Sequence, residues 1–116
     1  MNILTELNDL LSGLDFAVET GVFSGEAPDE YVIVSPMSNV FPVFGDNLPI
    51  LETQEARISL YAKRNYTKRF KLIVKSLLLE GFTITGQTYL GHEDDTSYFH
   101  VSIDVQKCYT FQLEGV

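Results

Sequence analysis

Between Glu52 and Phe82 the period of the apolar residues changes from that of a strand to that of a helix, and few architectures accept both in one run. In ETQEARISLYAKR, Ala56, Ile58, Leu60 and Ala62 alternate with Arg57, Ser59, Tyr61 and Lys63, the pattern of a half-exposed antiparallel strand. In NYTKRFKLIVKSLLLEGF, Phe70, Ile73, Val74, Leu77 and Leu78 recur at helical spacing and predict a buried stripe. Asn65 or Thr67 supplies the cap, and Gly81 the left-handed residue that ends the helix. Lys68, Lys71 and Lys75 share its outward side.

The remaining segments fit the same scheme. Ile3, Leu7, Leu10, Leu11 and Leu14 form one face of an N-terminal amphipathic helix, with Asn2 as its cap and Gly13 as its stop. FAVETGVFSG reads as a short strand or extended entry, and YVIVSP as a strand covered on both faces or nearly so. Residues 37–51 are rich in apolar side chains, but Pro42 and Pro49 argue against a continuous central strand. They predict an edge strand or an extended arm ending in the turn FGDNLP. FTITGQTYL and SYFHVSIDVQKCYTFQL form a hairpin around a loop at 91–96, with Phe99, Val101, Ile103 and Val105 on one side. On the other side are Tyr98, His100, Ser102 and Asp104. The expected fold is a single α+β domain over residues 1–116: an antiparallel sheet of about four or five strands, with an N-terminal helix and a second helix packed on one face.

Chemistry is sparse. The GHEDD loop holds His92, Glu93, Asp94 and Asp95, but consecutive side chains diverge, and a polar hairpin tip explains them better than a metal site does. His100 and Asp104 lie on one strand face roughly 13 Å apart at normal strand rise, too far to share an ion. No GxSxG, P-loop, GxGxxG, CxxC or HExxH motif occurs. Cys108 is the only cysteine, so no intrachain disulfide forms; it reads as a small buried hydrophobe rather than a nucleophile. The N-terminus lacks the basic start of a secretory signal, and no apolar run is long enough to span a bilayer. These features predict no enzyme, no metal, no cofactor and no membrane contact.

Charge is the most informative feature. The net charge is −8, yet Arg57, Lys63, Arg64, Lys68, Arg69, Lys71 and Lys75 make up seven of the eight basic residues, and no acid interrupts them. An acidic body with one basic segment predicts contact with a phosphate polymer or with an acidic protein surface, against the plainer reading of a solvated helix face. The strand and helix that carry these cations are expected to lie together, so that their outward faces form one continuous patch. The candidate interface is Arg57, Lys63, Arg64, Lys68, Lys71 and Lys75, with Val40, Phe41 and Phe44 of the arm supplying apolar contact.

The runs APDEYVIVSPMS, ETQEARISLYAKRNYTKRFKLIVKSLLLEGFTI and YLGHEDDTSYFHVSIDVQKCY, roughly residues 28–110, resemble small proteins encoded in the head–tail modules of long-tailed bacteriophages and prophages. These are minor capsid proteins of the tail terminator, or tail-to-head joining, group. The resemblance implies an α+β subunit that forms a ring, a hexamer, terminating the tail tube and docking to the head connector. Its partners would be copies of itself, the tail-tube protein and the connector, with DNA only as passing cargo, and its location the virion or the cytoplasm of the bacterial host. Two other readings of the residues stand beside it. One is a small nucleic-acid-binding module using segment 57–75, and the other a ligand- or metal-binding domain using loop 91–96.

Overall fold

The computed structural model describes residues 2–20, 28–45 and 48–110, and for 40–45 and 48–50 the backbone alone. The chain runs through α1 (Ile3–Gly13), β1 (Val18–Thr20), β2 (Glu30–Gly45), β3 (Leu48–Ala62), α2 (Thr67–Leu79), β4 (Thr83–His92) and β5 (Phe99–Thr110). The strands form one five-stranded sheet in the order β1-β2-β3-β5-β4. It is antiparallel except at one edge, where β1 runs parallel to β2. The architecture is α+β, with both helices on the same side of the sheet.

Strand alternation builds the core. Across the register, Val32, Leu60 and Val101 line up in one row and Val34, Ile58 and Ile103 in the next, all buried. Onto these rows α1 presses Ile3, Leu7 and Leu11, and α2 presses Ile73 and Leu77. Val32 and Val34 are fully buried whereas Tyr31, Ile33 and Ser35 are half-buried, so β2 is fully covered on one face only.

Both helices begin and end for local reasons. The Asn2 side chain accepts from the Thr5 amide at 2.9 Å, and the buried Gln54 carboxamide accepts from the Ile3 amide at 2.7 Å. Two of the orphan donors of α1 are thereby satisfied. The stop lies beyond Gly13: Asp15 takes the left-handed conformation (φ 66), and the Phe16 amide bonds back to the Leu11 carbonyl. Aspartate tolerates this region better than most residues because its short side chain bonds locally. Asn65 accepts from the Thr67 amide at the start of α2. At its end Gly81 (φ 85) lets the Phe82 amide reach the Leu77 carbonyl, while Phe82 itself is buried.

The stretch 37–51 is the outer part of a long β2–β3 hairpin whose pairing continues to Gly45 and Leu48. Along it β2 pairs on one side only among the described residues, as an edge strand does, because β1 meets only Val32, Ile33 and Val34. Register shifts between Pro36 and Ser38, between Val40 and Val43, and between Val43 and Phe44 let the ladder continue past the prolines. Leu78, assigned to the buried stripe of α2, is 57% exposed, and its neighbour Leu79 is 75% exposed.

Candidate assembly surface

The basic segment does not form one patch. Arg57 points to the side of the sheet away from the helices, because its neighbours Ala56 and Ile58 point into the core. There it makes a two-pronged pair with Asp104, Nε to Oδ1 at 2.8 Å and Nη2 to Oδ2 at 3.2 Å. Lys63 lies on the same side, its ammonium 5.0 Å from the centre of the Tyr98 ring and 3.9 Å from Asp29. Arg69 is engaged inside the molecule: its guanidinium holds Glu30 at 2.9 Å and lies 4.1 Å over the Phe16 ring. Lys68, Lys71 and Lys75 stay together along the exposed side of α2, and neither they nor Arg64 pair with an acid among the described residues. The sheet therefore separates Arg57 and Lys63 from these helix lysines, and the continuous patch is replaced by two faces. Val40, Phe41 and Phe44 lie outside the residues whose side chains are described.

What the structure assembles instead is a groove between α2 and β4. Phe70, Val74, Leu78 and Leu79 form its wall, Gln87 its opposite side, and Lys71 and Lys75 its rim, around a volume of about 510 Å³. A smaller recess continues it past Gln87 and Phe70 to Tyr66 and Tyr89. Tyr89 and Leu90 of β4 are each more than half exposed. β4 is also the edge of the sheet, and Thr83–Gly91 contains no charged residue and no proline, two of the usual protections of an open edge. A lining of aliphatic chains, one carboxamide and two lysines suits apolar burial with an anionic partner at the rim. Its described lining holds no acid–base pair. Sequence reasoning missed Leu79, Gln87, Tyr89 and Leu90. The signal available was Leu77-Leu78-Leu79, since three consecutive leucines cannot all face one side of a helix.

The hairpin tip is two residues further along than expected. β4 continues to His92, and the turn closes by the Glu93 amide on the Tyr98 carbonyl (2.8 Å) and the Ser97 amide on the Glu93 carbonyl (2.7 Å). His92 meets Asp94 at 3.4 Å and the Phe99 ring with centroids 4.6 Å apart, and among the described residues no three histidine, cysteine or acidic side chains stand close enough to hold a metal ion. Cys108 is exposed, not buried: it falls on the helix-free side of the sheet, in contact with the Thr53 hydroxyl at 3.2 Å.

The helix-free side carries an aromatic cluster. Tyr61 stacks on Tyr31 (centroids 4.7 Å) and on His100 (4.1 Å), and the buried Tyr98 meets Tyr31 edge-on while its hydroxyl donates to the Pro28 carbonyl at 2.6 Å. His100 Nε2 is buried without a hydrogen-bond partner among the described residues. Burial pushes the imidazole below its ordinary value of 6.5, helped by Arg57 and opposed by Glu93, and burial raises the Tyr31 and Tyr61 phenols. Because the folded chain holds its His100 proton less tightly than the unfolded chain, this residue's contribution to stability is complete above pH ~6.5 and shrinks as pH falls toward the depressed folded value. His100→Phe keeps a ring against Tyr61 and removes that titration. Urea unfolding at pH 7 and pH 5.5 should therefore show a smaller loss of stability in the variant; equal losses would mean that folding does not lower the proton affinity of His100.

Compared with known protein families and with curated proteins, the chain matches none.

Proposed function

We propose that this chain is a non-enzymatic assembly subunit that closes into a ring at the head–tail junction of a long-tailed phage, ends the tail tube and docks to the head connector. The observation that supports an assembly role is the α2–β4 groove: an apolar channel beside a strand that is the edge of the sheet among the described residues, rimmed by lysines with no acid partner among those residues. Isolated domains rarely leave such a face uncovered unless a protein partner covers it. The sequence resemblance to tail-to-head joining proteins supplies the setting. The charge distribution agrees with that setting, since a chain of net charge −8 can present an acidic lumen to which DNA phosphates do not adhere.

The test is to add the purified chain to tail tubes and filled heads of the genome that encodes it, and to score joined particles by electron microscopy. The expected result is a ring on the tube end and joined heads only when the chain is present. Normal joining without the chain refutes the reading.

A nucleic-acid module is the less favoured alternative, because Arg57 and Arg69 already hold Asp104 and Glu30. Duplex DNA should bind no tighter than the weak end of non-specific association, ~10⁻⁴ M at physiological salt. Submicromolar, steeply salt-dependent binding in a fluorescence titration, lost in a Lys68, Arg69 and Lys71 triple-alanine variant, would reverse this choice.

A further inference from the structure

The aromatic cluster on the helix-free side holds a titratable group that the assembly role does not use. Tyr31, Tyr61 and His100 are register partners on β2, β3 and β5, so their rings form one row across three strands. Tyr98, next to His100 on the same face, meets the row edge-on, 5.3 Å from Tyr31 and 6.2 Å from Tyr61. Its hydroxyl, bonded to the Pro28 carbonyl, ties the row to the approach to β2. His100 Nε2 lies inside this packing with no hydrogen-bond partner among the described residues. An imidazolium is a donor at both nitrogens, and a charged donor left buried and unpaired costs far more than a neutral ring in the same place.

The surroundings of His100 decide what can yield. β3 presents Tyr61, stacked on the ring, and Arg57, whose charge opposes protonation; β2 presents Tyr31; the turn presents Glu93, whose charge favours protonation. Asp104 of β5 is held by Arg57, and the Lys63 ammonium lies over Tyr98. β4 brings Gly91 level with His100, and its His92 packs on Phe99, on the opposite face. Unbroken ladders fix β2, β3 and β5 along this stretch. The turn 93–98 is the softer part. Two backbone bonds among Glu93, Ser97 and Tyr98 close it, and Glu93 to Ser97 are exposed, Asp94 and Asp95 among them. Ser97 takes the left-handed conformation (φ 65), which residues other than glycine rarely adopt.

We propose that the turn 93–98 is a proton-operated latch: it is closed on the Tyr31–Tyr61–His100 row while His100 is neutral, and it swings away at Ser97, taking Tyr98 off the row and off Pro28, when His100 gains a proton. Opening admits water to Nε2 and keeps Glu93 nearby as the counter-charge. The closed chain holds the His100 proton less tightly than the open one, so opening is rare above pH ~6.5 and grows as pH falls below that value. With an open-state value of ~6.5, one proton favours opening by at most about tenfold at pH 5.5. That is enough for a graded local release and too little to unfold a stable domain.

Amide hydrogen exchange of the full chain, followed by NMR at pH 7 and pH 5.5 and expressed as protection factors, tests the latch. The Glu93 and Ser97 amides, which close the turn, should be protected at least about tenfold less than the core amides of Ile58 and Ile103 at both values. Their protection should fall about three- to tenfold from pH 7 to pH 5.5. His100→Phe, which keeps a ring against Tyr61, should remove most of that fall. In the parent chain the Tyr98 ring signals should move with the same midpoint as the His100 imidazole signals. The proposal is overturned if the turn amides are as protected as the core, since the turn then opens only when the chain unfolds. It is equally overturned if their protection does not change with pH, if the fall persists in His100→Phe, or if His100 titrates while the Tyr98 signals stay in place.

Discussion

Replacing Arg69 with methionine is expected to destabilise the fold by about 2–3 kcal/mol, from the loss of a charge-assisted hydrogen-bond pair and a cation–π contact together. Arg69 sits in the first turn of α2 but acts outside it. Its guanidinium holds both Glu30 oxygens, reaches the Leu14 and Asp15 carbonyls at 3.5 and 3.4 Å, and covers the Phe16 ring. One side chain thus ties α2 to the exit of α1 and to the start of β2. Without it, Glu30 keeps a partly buried carboxylate with no cation, and that uncompensated charge is the larger part of the cost. For a chain of this length the loss corresponds to a fall in melting temperature of about 10 °C. Lysine in its place should recover less than half, because an ammonium cannot make the fork or lie flat on the ring. Lys68→Met, one residue earlier and exposed, should change the melting temperature by no more than about 2 °C. A loss below about 0.5 kcal/mol for Arg69→Met would show that the clasp is no stronger than an ordinary surface pair.

Arg69 also shows where the sequence stops being legible. Its cationic neighbours made it one member of a basic run, yet its partner Glu30 is 39 residues away, as Asp104 is 47 from Arg57 and Glu6 is 101 from Lys107. Nothing in local spacing selects those acids from the sixteen present. Where the signal is periodic the reading is direct. The Ala56–Ala62 alternation, the α1 stripe and the Gly81 terminus all follow from neighbours within one turn or one pleat. The errors over Cys108 and the basic patch share one cause, which is that only one side of the sheet carries helices. Cys108 belongs to the opposite side from Val101, Ile103 and Val105, and is therefore exposed. For the same reason Arg57 and Lys63 lie across the sheet from the helix lysines. Strand parity held this information, but which side was covered depends on how the helices pack. The prolines at 37–51 agree with an edge position for β2 but say nothing of how far its ladder runs: bulges carry the pairing past them, and a bulge leaves no fixed sequence mark.

Reversing Lys68 and Lys71 to glutamate should move stability and assembly in opposite directions. In the chain as it stands, α2 has no acid in its first turn, and Lys68 lies at the positive end of the helix dipole. Lys68–Lys71 and Lys71–Lys75 are like-charge pairs at helical contact spacing, and none of the three has an acid partner among the described residues. Each reversal corrects a local conflict. Glutamate at 68 suits the dipole, and glutamate at 71 faces Lys75 in the favourable i, i+4 order. These gains amount to about 0.5–1 kcal/mol, partly offset by the added net negative charge of an already acidic chain. Urea unfolding should thus show the double variant to be as stable as the parent or slightly more so. If the lysines serve a partner, the same variant should fail to form rings on tail tubes and should leave heads unjoined. Residues kept against the preference of their own helix need a reason outside it, and loss of assembly with stability intact would supply that reason. If the variant is equally stable and joins heads at normal levels, the lysines are a solvated surface and the α2–β4 groove meets its partner through apolar contact alone.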